Sequence, residues 1–349
     1  MPDRCHSTGS CWSQLRKISS PYLGLSRRPF MAASALAAET VTDAPVAIVE
    51  LGSDCFAITS PGEATTGVIV GPDGVVVIDA QGTPARSART AEALRRITDR
   101  PVRQLLLTHY HADSTLGAPA FGASEISASA LTRGLILERG RASRERDQRR
   151  RGGDVHDGAM PRMVWPSATF GSSLSVWLGQ REIRMMHLGR GHTLGDVVVW
   201  LPDARTMFVG DLVAHDVFPD AWDAYFQHWT QTLERIAGFR PAVVVPGHGE
   251  TLPTAEAVSD GIGRTRARVA AIAAAASAAA EAGEPWTAAH QRAAESLAAA
   301  EPALVESEGW QDALAAAASR AFAEAKGQEM PLLWSYEREQ ALVLERSML

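Results

Sequence analysis

The stretch "LLLTHYHADSTLG", residues 105–117, places two histidines and an aspartate at alternate positions directly after an apolar run. A neutral imidazole is a good zinc ligand, and a carboxylate supplies the negative charge that a divalent cation needs. Alternate spacing in an extended turn aims His109 and His111 at one point, with Asp113 beside them. Two histidines are too few for a metal site, so the remaining ligands must come from elsewhere in the chain.

Three further candidates stand beside a glycine at or near the end of an apolar strand: His192 in "GRGHTLGD", Asp211 in "MFVGDLV" and His248 in "VVPGHGE". Glycine lets the backbone turn sharply, so that the next side chain points into a cleft. One such motif alone is typical of a helix cap or an ordinary turn. These three motifs together with the first one, in this order along the chain, predict a metal centre. With only three cysteines in the chain, histidines and carboxylates must supply its ligands.

The elements that must position these residues are strands followed by helices, twice over. Short β-runs from Val46 lead to a helix over "PARSARTAEALRRIT" and a buried strand, "VRQLLLT", which ends at the first motif. A helix from Ser129 to about Arg150 precedes the second set of strands, and another runs from about Trp222 to Ala237. This order predicts two layered halves packed sheet to sheet with helices outside. Open α/β sheets bind ligands at the carboxyl ends of strands, where the first motif lies.

We divide the chain of 349 residues into a tail (1–42), a catalytic domain (43–253) and an alanine-rich helical C-terminal extension (254–349). The extension has high helix propensity but small side chains, so it must pack closely against something. Two partners stay open for it, the catalytic domain and a second copy of the chain in a homodimer. The tail resembles a twin-arginine export signal at Arg27 and Arg28, which predicts periplasmic export. A start at Met31 or a disordered tail is the favoured alternative and predicts a cytoplasmic protein.

Composition and charge narrow the choice of partner. A net charge of −6 argues against nucleic acid, because binding a phosphate backbone needs a broad basic surface. The chain has no apolar run of the roughly 18 residues that a membrane helix needs, so no membrane partner is expected. A small molecule is the expected partner.

Together the four motifs resemble the metallo-β-lactamase superfamily over roughly residues 46–252. The resemblance implies an α/β fold of four layers (α+β), an αββα sandwich with the metal site at one edge between the sheets. It also implies a ligand set: His109, His111 and His192 for a first metal, and Asp113, Asp211 and His248 for a second, with Asp211 as a candidate bridge. Asp79, which ends "VVVIDA", is implied to support the ligands without binding metal. The C-terminal sequence resembles a bacterial branch of the superfamily that carries a helical extension.

Three positions depart from better-known branches of that superfamily. Ser114 stands where most of its hydrolases have a histidine for the second metal, which leaves open whether the chain binds one zinc ion or two. Asp211 stands where the main β-lactamase branch has a cysteine, and Ala214 where it has a lysine that grips the drug's carboxylate. A dedicated β-lactamase is therefore not supported by these residues.

The resemblance implies a metal-dependent, zinc-containing hydrolase. Zinc lowers the pKa of a bound water to near 7, which makes hydroxide available at neutral pH. Asp113 is the candidate catalytic residue that orients this nucleophile toward an ester, thioester, lactone or amide bond of a small molecule. Three alternatives stay open: an iron oxidoreductase of the same fold resembling persulfide dioxygenases, a β-lactamase, and a metal-binding accessory protein without turnover.

Overall fold

The computed structural model describes residues 45–150, 162–218, 220–305 and 309–348. The interpretations of the N-terminal tail, including the export signal at Arg27 and Arg28 and the start at Met31, lie outside the described residues. No helix within the described ranges is long and apolar enough to cross a membrane.

The first sheet carries seven strands in chain order within the described ranges. Its first four strands form an antiparallel meander, because valine and isoleucine runs alternate with short turns, and the last four run parallel. The strands are β1 (Ala47–Gly52), β2 (Cys55–Thr59), β3 (Thr66–Gly71), β4 (Gly74–Ile78), β5 (Val102–Leu106), β6 (Glu125–Ser129) and β7 (Ala168–Phe170).

The second sheet has the strand order β12-β11-β10-β9-β8, antiparallel except between β11 and β12. These strands are β8 (Ser173–Leu178), β9 (Arg181–Met186), β10 (Val198–Leu201), β11 (Thr206–Gly210) and β12 (Val243–Pro246). Because the carboxyl ends of parallel β11 and β12 meet at one edge, the residues that follow them lie close together.

The helices begin at residues suited to capping in several cases: Thr83, Thr254 and Ser335 each accept a hydrogen bond from a backbone N–H of the first turn. The helices are α1 (Pro84–Ile97), α2 (Ala112–Thr115), α3 (Ala130–Arg150), α4 (Phe226–Gly238), α5 (Ala255–Glu281), α6 (Trp286–Ala300), α7 (Pro302–Val305), α8 (Trp310–Ala325) and α9 (Tyr336–Ser347).

Three apolar cores confirm the predicted αββα sandwich. One core lies between the sheets, where Ile69 and Leu106 of the first sheet meet Val199 and Phe208 of the second. A second core packs α1 and α3 on the outer face of the first sheet. The third packs α4 and α5 on the outer face of the second sheet and continues without interruption into α6 and α8. The C-terminal helices thus share a core with the second sheet.

Some elements differ from the sequence-based expectation. Strands β6, β7 and β8 were not predicted, because "EISAS", "ATF" and "SLSVWL" are short, or rich in serine and partly exposed. The expected helix start at Trp222 is wrong: α4 begins at Phe226. The region after Thr254 is not helical throughout, since residues 328–335 form an irregular link before α9.

Candidate metal centre

Three histidines and one aspartate form a cluster at the end of the sandwich. His109 and His111 follow β5, His192 lies in the loop between β9 and β10, and Asp211 directly follows β11. One ligand atom from each of these four residues lies within 4.8 Å of the others, and the three histidines are buried. Residues more than a hundred positions apart therefore come together through the sheets, as their placement at strand ends predicts.

Asp113 and His248 form an adjoining pair. Asp113 lies in the first turn of α2, and His248 follows β12. Nε2 of His248 lies 3.2 Å from Oδ2 of Asp113 and 3.7 Å from Oδ2 of Asp211. The same Asp211 oxygen lies 3.8 Å from Nε2 of His109 and 3.6 Å from Nε2 of His192. Asp211 therefore stands between the cluster and the pair, and all six expected ligands are neighbours.

The donor set fits a metal ion. Several polar atoms of these residues are buried and have no hydrogen-bond partner among the described residues: Nε2 of His109, Nε2 of His192, Oδ1 of Asp211 and Oδ1 of Asp113. Leaving such atoms without a partner is costly in a folded protein. Imidazole nitrogens and carboxylate oxygens are ligands for zinc and also for iron.

Burial prepares two of the histidines as ligands. Burial lowers the pKa of His109 to about 3 and that of His192 to about 4, even though the charge of Asp211 acts in the opposite direction. Both rings are neutral at physiological pH, which is the form that binds metal.

The adjoining pair has the opposite character. Burial by itself lowers the pKa of His248, but the charge of Asp211 and the hydrogen bond to Asp113 outweigh it and raise that pKa to about 10. For Asp113, burial alone raises the pKa, and the hydrogen bond and charge of His248 outweigh it and hold that pKa well below its usual range. Without metal the two residues are an ion pair.

Asp79 supports the cluster through one intermediate residue. Its carboxylate accepts hydrogen bonds from the backbone N–H of Thr108 (2.9 Å) and from the Thr108 hydroxyl (2.6 Å). The Thr108 hydroxyl oxygen lies 2.9 Å from Nδ1 of His109, which leaves Nε2 as the nitrogen available to an ion. Asp79 thus reaches the expected ligand His109 only through Thr108.

Two glycines are required where the backbones crowd the cluster. Gly210, just before Asp211, has φ +53°, and a Cβ there would lie 2.6 Å from Oγ1 of Thr108. A Cβ on Gly247 would lie 2.1 Å from Oδ1 of Asp211. A side chain at either position collides with the residues that build the site.

Sequence reasoning missed the buried carboxylate of Asp223, in the segment before α4. Its Oδ2 lies 3.4 Å from Nε2 of His111 and accepts a hydrogen bond from the hydroxyl of Tyr110, and its Oδ1 accepts one from Arg139 (3.0 Å). An acidic residue among aromatics in "AWDAYF" was the available signal. Its neighbour Trp222 packs in an apolar cluster with Ala316 and Trp334.

The chain belongs to the metallo-β-lactamase superfamily, whose family model matches residues 59–248, more than half of the chain. Among similar proteins, a linear primary-alkylsulfatase of Pseudomonas sp. (strain ATCC 19151) is 22% identical over 239 residues, 59% of this chain. The aligned region spans only 45% of that alkylsulfatase. A type 2 metallo-β-lactamase of Bacteroides fragilis is 24% identical over 220 residues, 59% of this chain and 80% of its own.

Solved structures agree on the fold. The metallo-β-lactamase FIM-1 of Pseudomonas aeruginosa, in its mono-zinc form, aligns with a TM-score of 0.52 and 18% identity over 65% of this chain and 98% of its own. A metallo-β-lactamase from Pontibacter korlensis aligns with a TM-score of 0.50 and 22% identity over 64% of this chain and 99% of its own. These alignments support the sandwich fold. At 18% and 22% identity they do not assign a reaction to this chain.

Proposed function

We propose that the protein is a zinc-dependent hydrolase that cleaves an ester, thioester, lactone or amide bond of a small molecule. The observation that carries the proposal is the joint placement of His109, His111, His192 and Asp211 within 4.8 Å, beside the pair of Asp113 and His248. The superfamily membership and hydrolase relatives support the same reaction class.

Each residue has a proposed role in this reaction. His109, His111 and His192 would hold the first zinc ion, and Asp113, Asp211 and His248 would hold the second. Asp211 would be the candidate to contact both ions, since its Oδ2 lies 3.6 Å from Nε2 of His192 and 3.7 Å from Nε2 of His248. When bound, zinc supplies a Lewis acid that polarises the scissile bond and makes water nucleophilic at neutral pH.

Asp113 orients the attacking water. Its pKa is held below the usual range, so its carboxylate stays ionised, and its Oδ1 has no hydrogen-bond partner among the described residues. That oxygen accepts a hydrogen bond from water and aims the lone pair of the water at the scissile carbon. His248, its partner, keeps the carboxylate in place.

Ser114 and Ala214 guide the choice of substrates to test. Ser114 stands where most hydrolases of the superfamily have a histidine for the second metal, so a second ion here would have one ligand fewer. Ala214 is buried, and its carbonyl accepts a hydrogen bond from Arg268, so this position offers no cation to a drug's carboxylate. We therefore place simple esters, thioesters and lactones first, and add a primary alkyl sulfate because of the alkylsulfatase relative.

The test is hydrolysis of that panel, with nitrocefin included, by protein before and after removal of metal with a chelator. We expect turnover of at least one ester-type substrate, its loss on chelation and its return with zinc. In the Asp113→Asn variant, turnover should fall by about 100-fold or more while the zinc ion of the three-histidine side, about one per chain, is retained. Zinc-loaded protein with no turnover on the whole panel contradicts the proposal and favours an accessory protein.

A further inference from the structure

Asp223 occupies an unusual position for a residue outside the expected ligand set. It is 9% exposed, and three side chains from two different parts of the chain contact its carboxylate. Tyr110 comes from the first metal motif, Arg139 from the middle of α3, and His111 is itself an expected ligand. A buried carboxylate that collects donors in this way holds them in fixed orientations.

The contact with His111 decides which nitrogen of that ring is available. Nε2 of His111 lies 3.4 Å from Oδ2 of Asp223. An ionised carboxylate only accepts hydrogen bonds, so a neutral His111 ring in this contact carries its proton on Nε2. The other nitrogen, Nδ1, then has a free lone pair.

We infer that Asp223 is a positioning residue of the metal centre, which holds the proton of His111 on Nε2 and so keeps Nδ1 free for an ion. This inference rests on the proposed metal centre. A carboxylate that binds the far nitrogen of a histidine ligand fixes both its tautomer and its ring plane, and losing such a partner typically weakens metal affinity 10- to 100-fold.

Arg139 extends the contact to the C-terminal part of the chain. One guanidinium nitrogen donates to Oδ1 of Asp223 at 3.0 Å, and another donates to the backbone carbonyl of Pro331 at 2.8 Å. The Arg139 side chain is 6% exposed, so its position is set by these partners and not by solvent. The link between α8 and α9 is thereby joined to an expected metal ligand through two side chains.

Arg139 also makes Asp223→Asn an informative substitution. The guanidinium only donates, so the carboxamide oxygen of asparagine must face Arg139. Its NH₂ group then faces His111 and favours an Nε2 without a proton. The proton of a neutral ring moves to Nδ1 and blocks that nitrogen, although the shape of the side chain is retained.

The test measures the zinc dissociation constant of the full-length chain by competition with a chromophoric chelator, together with the melting temperature of the metal-free protein. For Asp223→Asn we expect the dissociation constant of the tighter zinc to rise about 10- to 100-fold, with altered visible absorption bands in the cobalt-substituted protein. Tyr110→Phe, which removes one donor to Asp223 and keeps the ring, should give a smaller rise in the same direction.

Glu324→Gln is the matched control. Glu324 is a buried carboxylate of α8 that accepts a hydrogen bond from the backbone N–H of Phe226 at 2.8 Å, in the same part of the molecule. The Glu324→Gln variant should have a lower melting temperature and an unchanged zinc dissociation constant. Unchanged zinc affinity in both Asp223→Asn and Tyr110→Phe overturns the inference, as does an equal loss in Glu324→Gln. If the unmodified protein binds no zinc, the proposed function itself fails. That outcome differs from the two that overturn the inference about Asp223, because those two require an unmodified protein that binds zinc.

Discussion

At the scale of single residues, the metal centre contains two neutral histidines that are ready to bind metal. It also contains an ion pair whose histidine must lose a proton before it can bind metal. His109 and His192 are neutral because burial lowers their pKa values. His248 and Asp113 are an ion pair in the absence of metal. The three-histidine side should therefore fill first, and the side that lacks a histidine at Ser114 should fill second.

That difference predicts a pH dependence for the second zinc ion. The pKa of His248 is raised to about 10, so its ring carries a proton that the ion must displace. The affinity for the second ion should therefore fall by about tenfold for each unit that the pH is lowered, over the range from about pH 8 to about pH 6. His109 and His192 add no pH dependence there, because their pKa values lie at about 3 and about 4. Competition with a chelator at three pH values measures the affinity for the second zinc ion. An affinity that does not change with pH contradicts the prediction.

Gly247→Ala tests how closely the backbones approach the cluster. The new Cβ would lie 2.1 Å from Oδ1 of Asp211, so Asp211 must move away from its neighbours. We expect the variant to retain at most about one zinc ion per chain, by elemental analysis. Gly263→Ala in α5, where an added Cβ has nothing within 4 Å, is the control and should keep the full metal content. Equal metal content in the two variants contradicts this account of the site.

At the scale of elements, the site depends on loops that other elements hold in place. The loop after β11, which carries Asp211, is held from α5 by Arg268, whose guanidinium donates to the carbonyls of Ala214 (2.7 Å), His215 (2.8 Å) and Val217 (2.9 Å). Arg268 also pairs with Glu301 at the end of α6. The C-terminal helices therefore hold in place the loop that follows Asp211.

Arg268→Met should destabilise the protein by about 3 to 5 kcal/mol, because it leaves buried carbonyls and Glu301 without their partner. The Arg268 side chain is 3% exposed. Arg266→Met, on the same helix, is the control: that side chain is 54% exposed and lies 3.8 Å from Glu234, so its loss should cost less than about 1 kcal/mol. Urea unfolding followed by circular dichroism measures both. A loss below about 1 kcal/mol in Arg268→Met contradicts the role given to this residue.

The elements also differ in how far the sequence could predict them. The long valine-rich strands and the six candidate ligands at their ends were predictable, because each is a local pattern of apolar runs, glycines and turns. Strand β7 has three residues and could not be recognised by periodicity. The contact of Asp223 with His111 joins residues 112 positions apart, so it depends on packing that no local pattern reveals.

At the scale of the whole molecule, the sandwich and the C-terminal helices share one core. Val258, Ile262 and Val269 of α5 are buried in the same apolar cluster as Val198 of the second sheet and Trp229 of α4. The cluster continues to Leu314 of α8. By contrast, α9 has no buried residue within its described length. The helices up to α8 are therefore part of the structural unit that carries the site, and α9 lies on its surface.

Two truncations test this description. A chain ending at residue 253 loses α5 and exposes apolar residues of α4 and the second sheet, so it should fail to fold cooperatively and should bind a hydrophobic dye. A chain ending at residue 335 loses only the surface helix α9 and should keep a cooperative thermal transition and its metal content. A chain ending at 253 that folds cooperatively contradicts the shared core.

The central claim is that the six residues form a zinc centre, and elemental analysis of protein purified without added metal tests it most directly. We expect about two zinc atoms per chain, falling to about one or fewer in Asp211→Ala, with unchanged circular dichroism to show that the variant is folded. About one iron atom per chain contradicts the zinc hydrolase and favours an oxygen-dependent reaction. Protein that contains no metal and binds none when zinc is supplied contradicts the metal centre itself.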